Sequence, residues 1–344
     1  MSSEQNNDPK AISLTQYLQY LKPFLDDPSN TEIIINKPGE VITESRAGWQ
    51  YFDVPELNYN VCSQIAKLTA TYTKQKLDQS KPILSGSLPG GERVQIVIPS
   101  AALEGSVSMT IRKPSSLNFT LEDYKEQGFF DTCADFTEEL NDDEKKLMQY
   151  KEDGNYVDFL KLAVKTHKNI IISGSTGSGK TTFFRSLLDL VPQDERLISI
   201  ENVDELALYK THPNTVSLFY SAGGQGVAEI TQQDLLESCL RMKPDRIFLA
   251  ELIRGDEAFY FLRNVNSGHP GSITTMHANT AKLAFEQLVL FIKESKSGGN
   301  MSFEDIKKLL YMCVDIIVQI NNVKGQRMVT EIYYDPVFKR KQMA

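Results

Sequence analysis

The sequence GSTGSGKTT occupies residues 174–182 and decides the fold class of this chain. It follows an apolar run at residues 170–172 and leads into residues 181–190, where apolar side chains recur at helical spacing. This order fits the pattern strand, GxxxxGK[ST], helix without a mismatch. Glycines let such a loop curl until its N–H groups point at one centre, and the helix dipole adds positive charge behind them. The stretch predicts a phosphate-binding loop for ATP, with a chance glycine-rich turn as the alternative.

Single residues of this loop have separate expected tasks. We expect Lys180 to reach the β- and γ-phosphates of ATP, which makes it a candidate catalytic residue, and the Thr181 hydroxyl to bind Mg²⁺. The loop residues expected to hold the nucleotide are Gly174, Ser175, Thr176, Gly177, Ser178, Gly179, Lys180, Thr181 and Thr182.

Two further predicted strands end in carboxylates. Residues 246–251 are largely apolar up to Glu251, which suits a Walker B acid beside Mg²⁺ at the carboxyl edge of a parallel sheet. Residues 197–201 end in Glu201, which reaches the same edge and is a candidate for polarising the attacking water. The choice of water-activating group among Glu201, Glu205 and Glu251 stays open. The alternatives are a surface acid for Glu251 and a solvated acidic turn for Glu201.

A histidine follows another predicted strand. His277 ends residues 272–277 and is one of only four histidines in the chain. We expect it to hydrogen-bond the γ-phosphate or the phosphate product; a structural histidine is the alternative. Metal ligation by His277 is not expected, because no cysteine or carboxylate stands near it at ligand spacing.

The charge balance limits the partners of the chain. Its 344 residues include 37 Lys and Arg against 45 Asp and Glu, a net charge of −8, so a broad electrostatic grip on nucleic acid or on an anionic membrane is not expected. The four cysteines lack CxxC spacing, which favours a reducing cytosol over a disulfide framework. The polar residues 1–10 and the lack of a long apolar run predict neither a signal peptide nor a membrane span.

The chain is long enough for two domains. We interpret residues 1–114 as a small α/β domain, residues 115–143 as a linker with connecting helices, and residues 144–344 as a larger α/β domain. In the last of these, strands alternate with helices, which predicts a mostly parallel sheet covered on both faces. Strands are predicted at residues 32–36, 41–43, 49–54, 94–99, 107–112, 169–173, 197–201, 215–220, 246–251 and 272–277, and in a hairpin at 315–321 and 328–334. Helices are predicted at residues 14–25, 60–76, 181–190, 232–242, 256–266 and 281–293, and a further helix is capped by Ser302.

Taken together, these blocks resemble the secretion-ATPase superfamily of type II and type IV secretion, most closely the hexameric traffic ATPase of type IV secretion and conjugation machines. The resemblance covers nearly the whole chain. Besides the phosphate loop, the blocks that carry it are NKPGE at 36–40, PILS at 82–85, GERVQI at 91–96, TIRKP at 110–114, IEN at 200–202, LRMKP at 240–244, AEL at 250–252 and SGH at 267–269.

This resemblance implies an N-terminal α/β domain linked to a RecA-like P-loop ATPase domain, with Mg-ATP bound between them and six identical subunits in a ring. It implies a peripheral place on the cytoplasmic face of the inner membrane, where the motor powers pilus biogenesis and passage of protein or DNA–protein substrates. The implied partners are inner-membrane channel components and other secretion ATPases, without direct sequence-specific contact to nucleic acid. By the same resemblance, residues 201–205 form an acidic box, residues 268–277 form a histidine box, and Arg93 and Arg112 approach the nucleotide.

Three positions depart from the family pattern. Asn202 replaces the usual Asp of the acidic box, Ile253 is one residue more than expected before Arg254, and Pro270 stiffens the histidine box.

Three other classes of function stay open. A type II secretion or type IV pilus assembly or retraction ATPase is the first alternative function. A RecA or helicase-type nucleic-acid motor is the second, and it predicts a basic channel. A nucleotide-gated scaffold with little turnover is the third.

Overall fold

The computed structural model describes residues 9–114, 119–221 and 226–344 of the chain. Residues 115–118 of the predicted linker and most of the polar N-terminus lie outside these ranges. Among the described residues, no helix combines the length and the apolar character needed to cross a membrane.

The N-terminal part folds as one antiparallel sheet with helices against it. Its strands are β1 (Glu32–Ile35), β2 (Glu40–Ser45), β3 (Gly48–Asp53), β4 (Ile83–Ser87), β5 (Arg93–Val97) and β6 (Ser108–Arg112). They follow the order β3-β2-β1-β6-β5-β4, and every neighbouring pair is antiparallel. Its helices are α1 (Pro9–Tyr17), α2 (Lys22–Asp26) and α3 (Tyr59–Tyr72). Apolar residues of α1, α3 and the sheet form one buried core.

Two elements of this part differ from the sequence-based expectation. The helix expected over residues 14–25 is interrupted, because a 3-10 turn at Leu18–Tyr20 separates α1 from α2, and Pro23, which has no N–H to donate, stands in the first turn of α2. Strand β4 has no counterpart among the predicted strands. Gly86 within it and Pro82 before it are typical of loops, yet β4 pairs with β5 along its whole length.

The C-terminal part is built on parallel strands. They are β7 (Ile170–Gly174), β8 (Leu197–Glu201), β9 (Thr215–Phe219), β10 (Arg246–Leu249), β11 (Ile273–Met276), β12 (Ile316–Val323) and β13 (Gln326–Tyr334). One set has the order β10-β8-β9 and the other β11-β7-β12-β13, and only the β12–β13 pair is antiparallel. A parallel bridge between Leu252 and Met276 joins the two sets.

Helices cover both faces of this parallel sheet. The remaining helices of the described chain are α4 (Leu121–Glu126), α5 (Asp142–Glu152), α6 (Tyr156–Lys165), α7 (Lys180–Leu188), α8 (Gln232–Cys239), α9 (Gly255–Val265), α10 (Ala281–Glu294), α11 (Phe303–Cys313) and α12 (Pro336–Met343). On β7, Ile170 and Ile172 pack in a core with α6 and α7, while Ile171 packs in a second core with α8 to α11. Successive strand side chains point to opposite faces, so β7 is buried on both. The expected α/β fold with a doubly covered, mostly parallel sheet is confirmed.

The carboxyl ends of four parallel strands meet at one edge of this sheet. The phosphate loop continues from β7, Glu201 ends β8, Glu251 follows β10 and His277 follows β11. Ligands of open α/β sheets bind beyond this edge. The fold thus brings most of the predicted site residues to the same side of the sheet.

A buried arginine connects the N-terminal part with the parallel sheet. Arg196 is 0% exposed, and its guanidinium donates to Asn214 Oδ1 (2.5 Å) beside β9 and to Asn36 Oδ1 (2.9 Å) and Thr110 Oγ1 (3.3 Å) of the N-terminal part. Burial lowers the pKa of Arg196 to about 10, so the side chain stays charged near neutral pH. Such a contact is costly to break, because separation of the two parts removes the acceptors that Asn36 and Thr110 supply to a charged group. The domain boundaries at residues 114 and 143 remain a prediction.

Candidate active site

The loop at residues 174–182 takes a shape that its glycines allow. Gly177 and Gly179 have φ angles of 73° and 93°, in the left-handed region that favours glycine. Gly174 ends β7 beside β12, where a Cβ would lie 2.3 Å from the carbonyl oxygen of Ile320. Helix α7 begins at Lys180 with Gly179 as its N-cap. The first N–H groups of α7 have no partner inside the helix and are available to an anion at the loop.

Two buried side chains of the loop fit a phosphate chain. Lys180 is 8% exposed, and its Nζ donates to the carbonyl oxygens of Gly174 (3.0 Å) and Ser175 (3.2 Å). Burial lowers the pKa of Lys180, and the Glu251 carboxylate opposes this shift. Ser178 Oγ is buried and has no hydrogen-bond partner in the described part of the chain. A phosphate accepts hydrogen bonds from both groups, so the residues present fit a bound nucleotide.

A cavity of about 420 Å³ opens over the loop. Residues 176–182 line it, whereas Gly174 and Ser175 contribute through the carbonyls that hold Lys180. The other lining residues are Asn202, Val203, Glu205, Tyr220, Ala250, Glu251, Ile253, Thr275, His277 and Arg327. Three of the four predicted catalytic residues, Lys180, Glu251 and His277, therefore share one cavity.

His277 lies between the loop and Glu251. Its Nε2 is 2.9 Å from Glu251 Oε1, and its Nδ1 is 3.1 Å from the carbonyl oxygen of Gly174 and 3.4 Å from Lys180 Nζ. A neutral ring donates to only one of these two acceptors at a time, so its tautomer decides which contact is a hydrogen bond. The ring therefore lies between Glu251, the carbonyl oxygen of Gly174 and the Lys180 ammonium group.

Oxygen atoms of the kind that bind Mg²⁺ line the same cavity. Thr181 Oγ1 lies 3.3 Å from Glu205 Oε2, and Glu251 follows β10 on the neighbouring side of the cavity. Hydroxyl and carboxylate oxygens are the ligands that Mg²⁺ prefers. The predicted metal residues Thr181 and Glu251 thus fit the ion chemically, and Glu205 adds a third oxygen donor.

Glu201 lies outside the lining of this cavity. It is 0% exposed; Oε2 accepts hydrogen bonds from the backbone N–H groups of Glu205 (2.9 Å) and Leu206 (2.8 Å), and Oε1 accepts one from Ser199 Oγ (2.6 Å). Burial raises the pKa of Glu201, although these three hydrogen bonds act in the opposite direction. Both carboxylate oxygens are therefore engaged, and Oε2 holds the turn that carries Glu205 into the cavity.

The predicted nucleotide-binding arginines line a different cavity. Arg93 and Arg112 line a space of about 500 Å³ between the N-terminal sheet and the end of α8, together with Arg241. Arg112 Nε also pairs with Glu32 Oε1 at 2.5 Å. This space and the cavity over the loop have no lining residue in common. Within one chain, the structure does not bring Arg93 or Arg112 to the loop.

The residue inserted before Arg254 has a structural consequence. Ile253 lines the cavity, whereas Arg254 does not. The backbone N–H groups of both residues donate to Glu257 Oε2 (2.7 and 2.9 Å), which fixes the start of α9.

Sequence reasoning missed Arg327 and Tyr220 as lining residues. Arg327 comes from β13 and Tyr220 follows β9. Neither belongs to a motif, and only the register of the strands places them at the loop.

A phosphate loop at the edge of a doubly covered parallel sheet, with an acid that follows another parallel strand, defines a P-loop ATPase. The family model described as "Type II/IV secretion system protein" matches residues 18–335. The chain therefore belongs to the type II/IV secretion system protein family.

Relatives within that family narrow the class. The chain is 48% identical over 350 residues to the type IV secretion system protein VirB11 of Bartonella quintana, covering 98% of this chain and 97% of that protein. It is 45% identical over 336 residues to VirB11 of Brucella suis, covering 96% and 92%. The crystal structure of the Brucella suis VirB11 ATPase in complex with sulphate has a TM-score of 0.89 and 44% identity, covering 96% of this chain and 99% of that one. These similarities confirm the resemblance to type IV secretion traffic ATPases.

Proposed function

We propose that this chain binds Mg-ATP in the cavity over residues 174–182 and hydrolyses it to drive type IV secretion, in pilus biogenesis and in passage of protein or DNA–protein substrates. The convergence of the phosphate loop, Glu205, Glu251 and His277 on one cavity carries this proposal. Membership of the family supports ATPase activity in general. The residues that line the cavity support the binding of Mg-ATP there and the roles proposed below for single side chains.

The loop binds the phosphates with groups that are already in place. The N–H groups at the start of α7 and the Ser178 hydroxyl donate to phosphate oxygens, and Lys180 exchanges its two backbone carbonyl partners for the β- and γ-phosphates. Thr181, Glu205 and Glu251 are the residues that would hold Mg²⁺. When bound, the ion neutralises charge on the phosphate oxygens.

We assign the acids different tasks. Glu251, held by His277, lies on the cavity and is placed to hold the ion or to accept a proton from the attacking water, a role that Glu205 shares as a candidate. Glu201 positions the turn that carries Glu205, because both of its oxygens are already engaged by groups of the protein. His277 connects the ion side of the site with Lys180.

A site shared between subunits would bring Arg93 and Arg112 to a nucleotide. Their cavity is separate from the loop of their own chain, while guanidinium groups suit a phosphate. We therefore propose a homo-hexameric ring in which these arginines complete the site of a neighbouring subunit. The ring is proposed to work as a peripheral motor at the cytoplasmic face of the inner membrane, against channel components and other secretion ATPases.

Lys180→Ala tests the proposed function. In cells that lack the chain, wild-type protein and the exposed-surface control Lys282→Ala are expected to restore substrate transfer, and Lys180→Ala is expected to restore none while accumulating to the same level. The purified variant is expected to lose ATP hydrolysis, as the wild type does when Mg²⁺ is chelated, because the loop loses its phosphate contact and not core volume. Transfer or turnover at the wild-type level by Lys180→Ala would refute the assignment.

A further inference from the structure

The β12–β13 hairpin extends beyond the strand beside it. β7 ends at Gly174, which pairs with Ile320, whereas β12 continues to Val323 before the chain returns in β13. One of the pairs on this overhang is Asn322 with Arg327. The hairpin therefore carries Arg327 past the end of β7, where the phosphate loop begins.

The side chain of Arg327 lies against the loop at Gly179. A Cβ at Gly179 would lie 3.1 Å from Arg327 Cδ, 3.6 Å from Nη1 and 3.7 Å from Nε. Arg327 also lines the cavity of about 420 Å³ over the loop. Within the described ranges of the chain, its guanidinium makes no hydrogen bond and no ion pair.

This is an unfavourable place for a cation that has no anion nearby. Gly179 is the N-cap of α7, and a helix N-terminus carries partial positive charge. The charged Lys180 follows directly. The acid nearest along β13, Glu331, does not compensate, because its Oε2 accepts a hydrogen bond from the backbone N–H of Ala281. Two further acids line the cavity, and each has another partner: Glu251 pairs with His277, and Glu205 accepts a hydrogen bond from Thr181 Oγ1.

We propose that Arg327 binds the phosphate chain of the nucleotide held by the loop of its own subunit. The inference rests on the proposed function. A guanidinium presents five N–H donors in a planar fork that matches phosphate oxygens. Arg327 flanks Gly179 of the phosphate loop, so its contact is expected with the phosphates that ATP and ADP share and is expected to set the affinity for both.

Calorimetric titration of the purified full-length chain with ADP and with pyrophosphate tests this role. Arg327→Ala is expected to weaken binding of both ligands by about tenfold, the effect of losing one hydrogen bond to a charged group. Arg327→Lys keeps the positive charge but lacks the planar guanidinium, and its affinity for both ligands is expected to lie between those of the wild type and Arg327→Ala.

Lys324→Asn is the matched control. Lys324 lies at the tip of the same hairpin, away from the loop lining, and has a φ angle of 51°, which asparagine tolerates. The Lys324→Asn substitution removes one positive charge from the hairpin, and this variant is expected to bind both ligands like the wild type. If Lys324→Asn and Arg327→Ala weaken ligand binding equally, the effect comes from the net charge of the hairpin and not from a contact of Arg327, and the proposal is overturned.

The remaining outcomes separate this inference from the proposed function. If Arg327→Ala binds ADP and pyrophosphate like the wild type, Arg327 is a solvated surface residue and only this inference fails. If the variant weakens ADP binding alone, the contact is with the nucleoside, and the inference again fails. If the wild type binds neither ligand, both the inference and the proposed function fail.

Discussion

Glu201 and Glu251 come from neighbouring strands of the parallel sheet, yet their carboxylates have different surroundings. Glu251 lines the cavity and contacts His277, whereas Glu201 is buried under the turn at Glu205 and Leu206. A group that activates water needs free access to that water. The two acids are therefore expected to respond differently to the same substitution.

Glutamine substitutions separate these two roles. In Glu201→Gln, the amide oxygen can accept from the two backbone N–H groups and the amide nitrogen can donate to Ser199, so turnover is expected to stay near the wild-type rate. Glu251→Gln removes the carboxylate of the cavity and is expected to slow ATP turnover by about a hundredfold or more with nucleotide binding retained. Steady-state hydrolysis and ADP titration measure both effects. A large loss of turnover in Glu201→Gln with normal binding would instead make Glu201 the water-activating group.

Spacing predicts which acids reach the edge of the sheet but not which way they turn. The apolar strands before Glu201 and Glu251 are recognisable from composition, and parallel pairing brings their ends together. The inward turn of Glu201 depends on hydrogen bonds from residues 205 and 206, which follow no sequence pattern. Its burial therefore emerges only from the folded chain.

At the scale of elements, the β7–loop–α7 unit is the most predictable part of the chain. Its order depends on local signals: an apolar strand, glycines with left-handed φ, and a helix that begins at Lys180. The β12–β13 hairpin was predictable as two strands and a turn. The overhang of this hairpin was not predictable, because the register of β12 against β7 depends on contacts between residues distant in sequence. The position of Arg327 beside the loop was not predictable for the same reason.

The close contact between β7 and β12 gives a prediction for Gly174. A Cβ there meets a backbone atom, the Ile320 carbonyl oxygen at 2.3 Å, so Gly174→Ala must push the two strands apart and is expected to destabilise the chain by about 3 kcal/mol. Gly177→Ala has no atom within 4 Å of its Cβ and is expected to cost about 1 kcal/mol, from the left-handed φ alone. Thermal melting compares the two variants. A larger loss of stability in Gly177→Ala would contradict the packing described for the loop.

At the scale of the whole molecule, the packing of the N-terminal part decides where its arginines point. Their strands β5 and β6 were predictable from sequence, but the cavity that Arg93 and Arg112 line depends on how the sheet docks against α8. Buried contacts of Arg196 with Asn36 and Thr110 hold this docking in place. A chain packed in this way keeps its arginines apart from its own loop, so the proposed ring has to supply them from a neighbour.

Mixing two inactive subunits tests this account of a ring ATPase most directly. Arg93→Ala keeps its loop, and Lys180→Ala keeps its arginines, so a neighbouring pair of the two restores one complete site. Each variant alone is expected to show little or no ATP turnover, and mixed assemblies are expected to regain a substantial part of the wild-type rate. Turnover in the mixture no higher than the average of the separate variants, or full turnover by Lys180→Ala alone, would contradict the account.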